Sequence, residues 1–214
     1  MAGNYRDFHA YDQKPRWICY WHQIDEVMRL APKTVLEIGI GNRLVSDYLG
    51  QHGIQVSTLD VDASLAPDIV GSVAAIPLPA QSVDVVLCAE ILEHLPFAQF
   101  ETALRELDRV ARSGVVLSLP HAGPYLKFGF KTFFLREGRW MWKLPWPQRH
   151  RPDAVIGHEW EIGKRGTGAR KIRRILESHF SIVRDYIPFE NQYHHFYVLK
   201  PRPAPAVHDG SIGR

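Results

Sequence analysis

A doubly wound, mostly parallel α/β sheet is the fold class this chain predicts, on three observations. Short apolar runs alternate with helical patterns over the first 120 residues, as in successive βαβ units. The run Val35-Leu36-Glu37-Ile38 passes straight into the glycine turn Gly39-Ile40-Gly41-Asn42, and a helix-like segment begins at Arg43. Asp60 closes the next apolar run, about twenty residues further on, where an acidic side chain can hold ribose hydroxyls.

The elements follow in order. Pro15 to Leu30 reads as an amphipathic helix, with Trp17, Tyr20, Trp21, Ile24, Val27 and Met28 at helical spacing and Pro15 near its first turn. Strands are expected at 34–38, 55–60, around Ile69, at 83–88 and at 114–119, with helices at 43–51 and 97–111. The second of these should turn Glu101, Arg105, Glu106, Asp108 and Arg109 outward. A helix at 168–178 and strands at 181–188 and 194–199 complete the chain. Residues 1–200 make one domain, residues 1–13 are expected to be loosely ordered, and the Pro- and Ala-rich stretch 201–214 reads as a disordered tail.

Bulk composition excludes several classes. A net charge of +3 on 214 residues is too small to argue for a nucleic-acid partner. Cys19 and Cys88 lie in apolar surroundings without C-x-x-C spacing, so no disulfide and no metal site is expected and a reducing cytoplasm fits. No apolar run is long enough to span a bilayer. Contact with a membrane surface and the oligomeric state stay open.

The glycine turn admits a dinucleotide or S-adenosylmethionine. Glu37, two residues before Gly39, would repel a pyrophosphate but suits a ligand carrying an ammonium and a sulfonium. Further motifs narrow the choice. Glu37-Ile38-Gly39-Ile40-Gly41, Leu59-Asp60, the stretch from Pro67-Asp68 to Leu78-Pro79, and Ser82-Val83-Asp84-Val85-Val86-Leu87 occur in order, followed by Leu92-Glu93-His94-Leu95-Pro96. With these landmarks the run from Val35 to Pro120 resembles the cofactor half of class I S-adenosylmethionine-dependent methyltransferases of the small-molecule type. The resemblance implies a Rossmann-like seven-stranded sheet whose last strand is antiparallel.

It also implies roles. Gly39 and Gly41 would pass under the methionine moiety, with Glu37 organising its ammonium. Asp60, with Val61 beside it, would accept from the ribose hydroxyls. Ser72 and Val73 would lie against adenine, and Glu90 and Ile91 would border the sulfonium. The chain departs from the pattern twice, with Arg43 in place of a third glycine and Ser72 where many relatives have Asp.

Residues 120–165 break the rhythm with Pro120, Pro124, Pro145, Pro147 and Pro152 and with Trp140, Trp142, Trp146 and Trp160. Their place after the fifth strand makes them a candidate substrate cap. Tyr20, Trp160 and Glu161 are the substrate-binding candidates. Methyl transfer to oxygen is helped by a general base, for which His158 and His121 are preferred over His194, His195 and His22. The chain is also similar to a subgroup carrying H-x-W-E-I-G and Y-H-H-F, here His158 to Gly163 and Tyr193 to Phe196. That likeness implies a small-molecule or glycan acceptor. The basic run Lys164, Arg165, Arg170, Lys171, Arg173 and Arg174 suits a solvated helix face or an anionic partner. Two rival functions stand beside methyl transfer to a small acceptor: a non-catalytic cofactor-binding protein and a nucleic-acid methyltransferase.

Overall fold

The computed structural model describes residues 8–9, 11–134, 137–146, 148–151 and 157–202. The expected tail from 203 onward, most of the N-terminal stretch before Tyr11, and Pro147 and Pro152 of the cap lie outside the described residues.

The helices are α1 (Lys14–Arg29), α2 (Leu44–Gln51), α3 (Phe100–Val110) and α4 (Ala169–His179). The strands are β1 (Thr34–Ile38), β2 (Gln55–Asp60), β3 (Ile69–Val70), β4 (Val83–Ala89), β5 (Ala111–Pro120), β6 (Tyr125–Phe130), β7 (Gly138–Lys143), β8 (Phe180–Tyr186) and β9 (His194–Pro201). Seven of them form one sheet in the order β3-β2-β1-β4-β5-β9-β8. The first five run parallel, and β9 enters antiparallel between β5 and β8. This is the mostly parallel, doubly wound arrangement expected.

Strand alternation explains why helices cover both faces. Leu36, Ile38, Val86, Cys88, Val115 and Leu117 point to one side and join residues of α3 and α4. Val35, Val85, Leu87 and Val116 point to the other, under Tyr20 and Val27 of α1 and Val45 and Leu49 of α2. Burying such aliphatic side chains contributes on the order of 1.5–3 kcal/mol each, so the central strands carry much of the fold's stability. Among the described residues no helix is long and apolar enough to cross a membrane.

Two expectations need correction. Glu106 and Arg109 of α3 do not simply face solvent. Arg109 pairs with Glu106 at 2.7 Å and donates to the Ile76 and Leu78 carbonyls, while Glu106 accepts from the Ile76 amide. The pair clamps the loop that follows β3. Nor is the segment after β5 irregular: β6 and β7 form an antiparallel hairpin, outside the main sheet.

Candidate active site

Beyond β1 the chain must turn sharply beneath Ile91. Gly39 has φ +81, and a Cβ there would lie 2.0 Å from Ile91 Cδ1, so only glycine fits. Arg43 adopts φ +66, a conformation that a third glycine would enter freely and that costs another residue about 1–2 kcal/mol. Its guanidinium donates to the carbonyls of Leu65 (3.1 Å) and Ala66, which draws the side chain across to the loop after β2. Asp60 accepts from the amides of Ile40 at 3.0 Å and Asp62 at 2.9 Å, tying the end of β2 to the glycine turn. Asp62 is engaged elsewhere, capping a short 3-10 turn through Ser64.

A cavity of about 510 Å³, open solvent at its mouth included, lies above this turn. Glu37, Gly39, Gly41 and Glu90 line it from below, Arg16, Cys19 and Tyr20 from α1, and His194 from β9. Glu37 is 5% exposed and its Oε2 has no hydrogen-bond partner. Burial pushes its carboxyl up to about 8, so a cation in the cavity would be strongly favoured beside it. An orphaned acid above a turn that tolerates no Cβ fits the ammonium end of S-adenosylmethionine.

The remaining cofactor candidates are placed unequally. Ser72 Oγ accepts from the Ala74 amide at 3.2 Å and keeps its own O–H. Val73 is buried in the core, which leaves only its backbone to face a ligand, whereas Val61 is exposed. Ile91 packs over Gly39.

Glu90 stands at the end of β4 with φ +56, a strained conformation for a non-glycine residue at a ligand-facing position. Its Oε1 accepts from Ser118 Oγ at 2.8 Å, and its Oε2 lies 3.3 Å from His194 Nε2. His194 Nδ1 meets the Cys19 thiol and lies 3.2 Å from the Asn191 side-chain amide. Burial raises the Cys19 pKa, so the thiol stays protonated and donates to Nδ1. That leaves the ring proton on Nε2, the nitrogen nearer Glu90. Ser118, His194, Cys19 and Asn191 thus act together to orient one carboxylate. No local sequence pattern marks His194 above the other histidines or points to Asn191, because only the antiparallel insertion of β9 beside β5 brings them to this cavity.

The preferred histidines lie elsewhere. His121 is 7% exposed, stacks on His195 with 5.2 Å between ring centroids, and lies 3.0 Å from it through Nδ1. Burial, reinforced by His195, depresses its pKa to about 3, which makes it a poor base at neutral pH. His195 also pairs with Asp185, and His22 meets the Tyr186 hydroxyl at 3.2 Å.

His158 is buried, with Nδ1 3.2 Å from Glu161 and Nε2 3.8 Å from Glu93. It borders a second cavity with Arg149, Arg151, Glu161 and Lys164. Burial works to raise the Glu161 carboxyl, yet hydrogen bonds from His158 and Tyr193 hold it down at about 2.

Of the substrate candidates, Tyr20 lines the first cavity and Glu161 the second. Trp160 does not present a stacking face. It is 3% exposed, packs edge-on against Phe97 and Phe100, and donates to the Leu95 carbonyl at 3.2 Å. The exposed aromatic surface belongs instead to Trp140, Trp142 and Phe128 of the hairpin. In the basic run, Arg173 is spent on Glu177 and Asp185, and Lys171 lies over the Phe97 ring.

Part of this chain also matches known proteins. Residues 36–119 match the model of a methyltransferase domain family. A ubiquinone biosynthesis O-methyltransferase of Pseudomonas paraeruginosa is 32% identical over 119 residues, 47% of this chain and 50% of that protein. The Stutzerimonas stutzeri enzyme of the same name is 35% identical over 89 residues, 34% of this chain and 38% of that one. The matches therefore span about half or less of these curated relatives.

Among solved structures, the fold resembles a Burkholderia thailandensis 1,6-didemethyltoxoflavin-N1-methyltransferase bound to S-adenosylhomocysteine. The TM-score is 0.59 at 16% identity, over 94% of this chain and 84% of that one. It also resembles the N-methyltransferase NodS of Bradyrhizobium japonicum, with TM-score 0.54 at 14% identity over 86% and 87%. Residues 36–119 thus match a methyltransferase domain, and the sheet as a whole has the Rossmann-like fold of these methyltransferase structures.

Proposed function

We propose that the protein transfers a methyl group from S-adenosylmethionine to a hydroxyl oxygen of a small polar or anionic molecule. The observation that carries this reading is Glu90, a carboxylate held at a strained backbone position on the wall of the cofactor cavity. S-adenosylmethionine supplies an electrophilic methyl group and a thioether leaving group. Glu37 and the glycine turn hold the methionine end, and Asp60 presents acceptor lone pairs to the ribose. Glu90, oriented by Ser118 and His194, accepts the hydroxyl proton as the oxygen lone pair attacks the methyl carbon.

The choice of oxygen rests on the curated relatives, both named O-methyltransferases. The choice of a polar or anionic acceptor rests on Arg149, Arg151 and Lys164 around the second cavity. A glycan is the weaker reading, because Trp160, the aromatic among the substrate-binding candidates best suited to stack on a sugar, is buried. Residues 120–165 act as the cap over the acceptor.

The test follows labelled methyl transfer to hydroxylated aromatic acids, neutral sugars and amines. Methylation of the first group, with Glu90→Gln losing about 10²- to 10⁴-fold in turnover and little S-adenosylhomocysteine affinity, supports the reading. Transfer to amines alone, or full turnover in Glu90→Gln, overturns it.

A further inference from the structure

We propose that Glu93, His94 and His158 form a binding site for one divalent transition-metal cation. One ligand atom from each lies within 4.8 Å of the others. Glu93 is fully buried, and neither of its carboxylate oxygens has a hydrogen-bond partner. A buried carboxyl without partners costs several kcal/mol unless a cation or donor satisfies it. The Nε2 of His158 faces it at 3.8 Å.

Both imidazoles are set to ligate rather than donate. His94 Nδ1–H donates to the Gly157 carbonyl at 3.1 Å. Gly157 has φ +74, the left-handed conformation that favours glycine, and packs directly against the same imidazole. His158 Nδ1–H donates to Glu161 at 3.2 Å, and Glu161 also accepts from the Tyr193 hydroxyl at 2.5 Å. Each ring is thus left with a free Nε2 lone pair for ligation, that of His158 facing Glu93, and each is oriented by an acceptor on its other nitrogen, as metal-ligating histidines are.

The segment carrying His158 is fastened to the Glu93 turn by the Glu159 amide, which donates to the Glu93 carbonyl at 2.8 Å. His94 is exposed, which provides an entry path. Two imidazoles and one carboxylate with open positions suit zinc or a similar first-row ion better than magnesium or calcium, which prefer all-oxygen shells. This departs from the sequence expectation of no metal, which considered cysteine spacing alone.

Glu90 lies one turn before Glu93 and lines the cofactor cavity, while His158 borders the second cavity. A cation here would polarise an acceptor hydroxyl between the two. That role rests on the proposed methyl transfer; binding of the ion does not.

The experiment titrates chelator-stripped protein with Zn²⁺ by calorimetry and with Co²⁺ by visible absorption, beside a parallel S-adenosylhomocysteine titration. One equivalent of Zn²⁺, ligand-field bands with Co²⁺ and no competition from Mg²⁺ are expected. Glu161→Gln should weaken Zn²⁺ binding about 10- to 100-fold, and His158→Ala should weaken it further. S-adenosylhomocysteine binding in each variant confirms its fold. No Zn²⁺ binding by wild-type protein that binds S-adenosylhomocysteine overturns the metal site alone, as does unchanged affinity in a folded His158→Ala. Metal binding without S-adenosylhomocysteine binding instead removes the methyl-donor reading.

Discussion

In β1, β4 and β5 most side chains are buried on one face of the sheet or the other, whereas β6 exposes every residue and β7 half of its own, burying none. The central strands are held by packing. The hairpin is held by a few polar contacts, with Lys143 at its base donating to the His121 carbonyl at 2.5 Å, Lys127 at mid-strand donating to the Phe189 carbonyl at 3.0 Å, and Arg139 paired with Glu190. A two-stranded hairpin alone is marginal in water, and solvent-facing Leu126, Phe128, Trp140 and Trp142 gain little from it. The difference teaches that the central strands owe their place to packing, whereas the hairpin leaves an apolar surface in solvent that its own folding does not need.

That contrast can be broken by substitution. The largest effect is expected from Gly39→Val, which forces a branched side chain into Ile91 at positive φ. S-adenosylhomocysteine binding should vanish in calorimetry, and stability should fall by about 2 kcal/mol or more. Binding within twofold of wild type would mean that the turn does not hold the cofactor.

Asp60→Ala comes next. It removes the proposed ribose acceptor and frees the Ile40 and Asp62 amides. Cofactor affinity should drop tenfold or more, about 1.4 kcal/mol, with a lower melting temperature.

The third prediction concerns pH. Glu37 has a folded-state pKa raised to about 8 by burial. The folded protein therefore holds a proton that the unfolded chain releases from about pH 4.3 upward, and this carboxyl erodes stability as pH rises towards 8. Glu37→Gln removes the erosion. Its melting temperature should gain on wild type between pH 6 and 9 by about 2–4 °C, the equivalent of 1 kcal/mol in a domain of this size. A constant difference across that range would show that Glu37 titrates normally.

The smallest stability effect belongs to the hairpin. Phe128→Ser with Trp142→Ser should change unfolding free energy by about 0.5 kcal/mol or less and leave cofactor affinity intact, while raising KM for the acceptor. A large loss of stability would show that the hairpin is part of the core after all.

The turn, its helix and the acid at the end of β2 were legible in the chain because they are local. A glycine pattern, an apolar run and a spacing of about twenty residues specify one βαβ unit whatever surrounds it. The parallel strands were legible for a related reason, since strands buried on both faces read as continuous apolar runs. Trp160 misled, because an aromatic residue reads alike as a stacking surface or a core residue until its neighbours are known. Phe97 and Phe100 decided it.

The oriented carboxylate and the histidine pair were beyond the sequence for a different reason. His194 reaches Glu90 only because β9 inserts antiparallel beside β5, and His158 reaches Glu93 only because the segment after the hairpin is bonded to the turn that follows β4. Local periodicity determined the cofactor half and its glycine turn. Tertiary structure alone decided which distant titratable groups meet, because their contacts depend on strand order and loop closure, for which no short-range pattern codes.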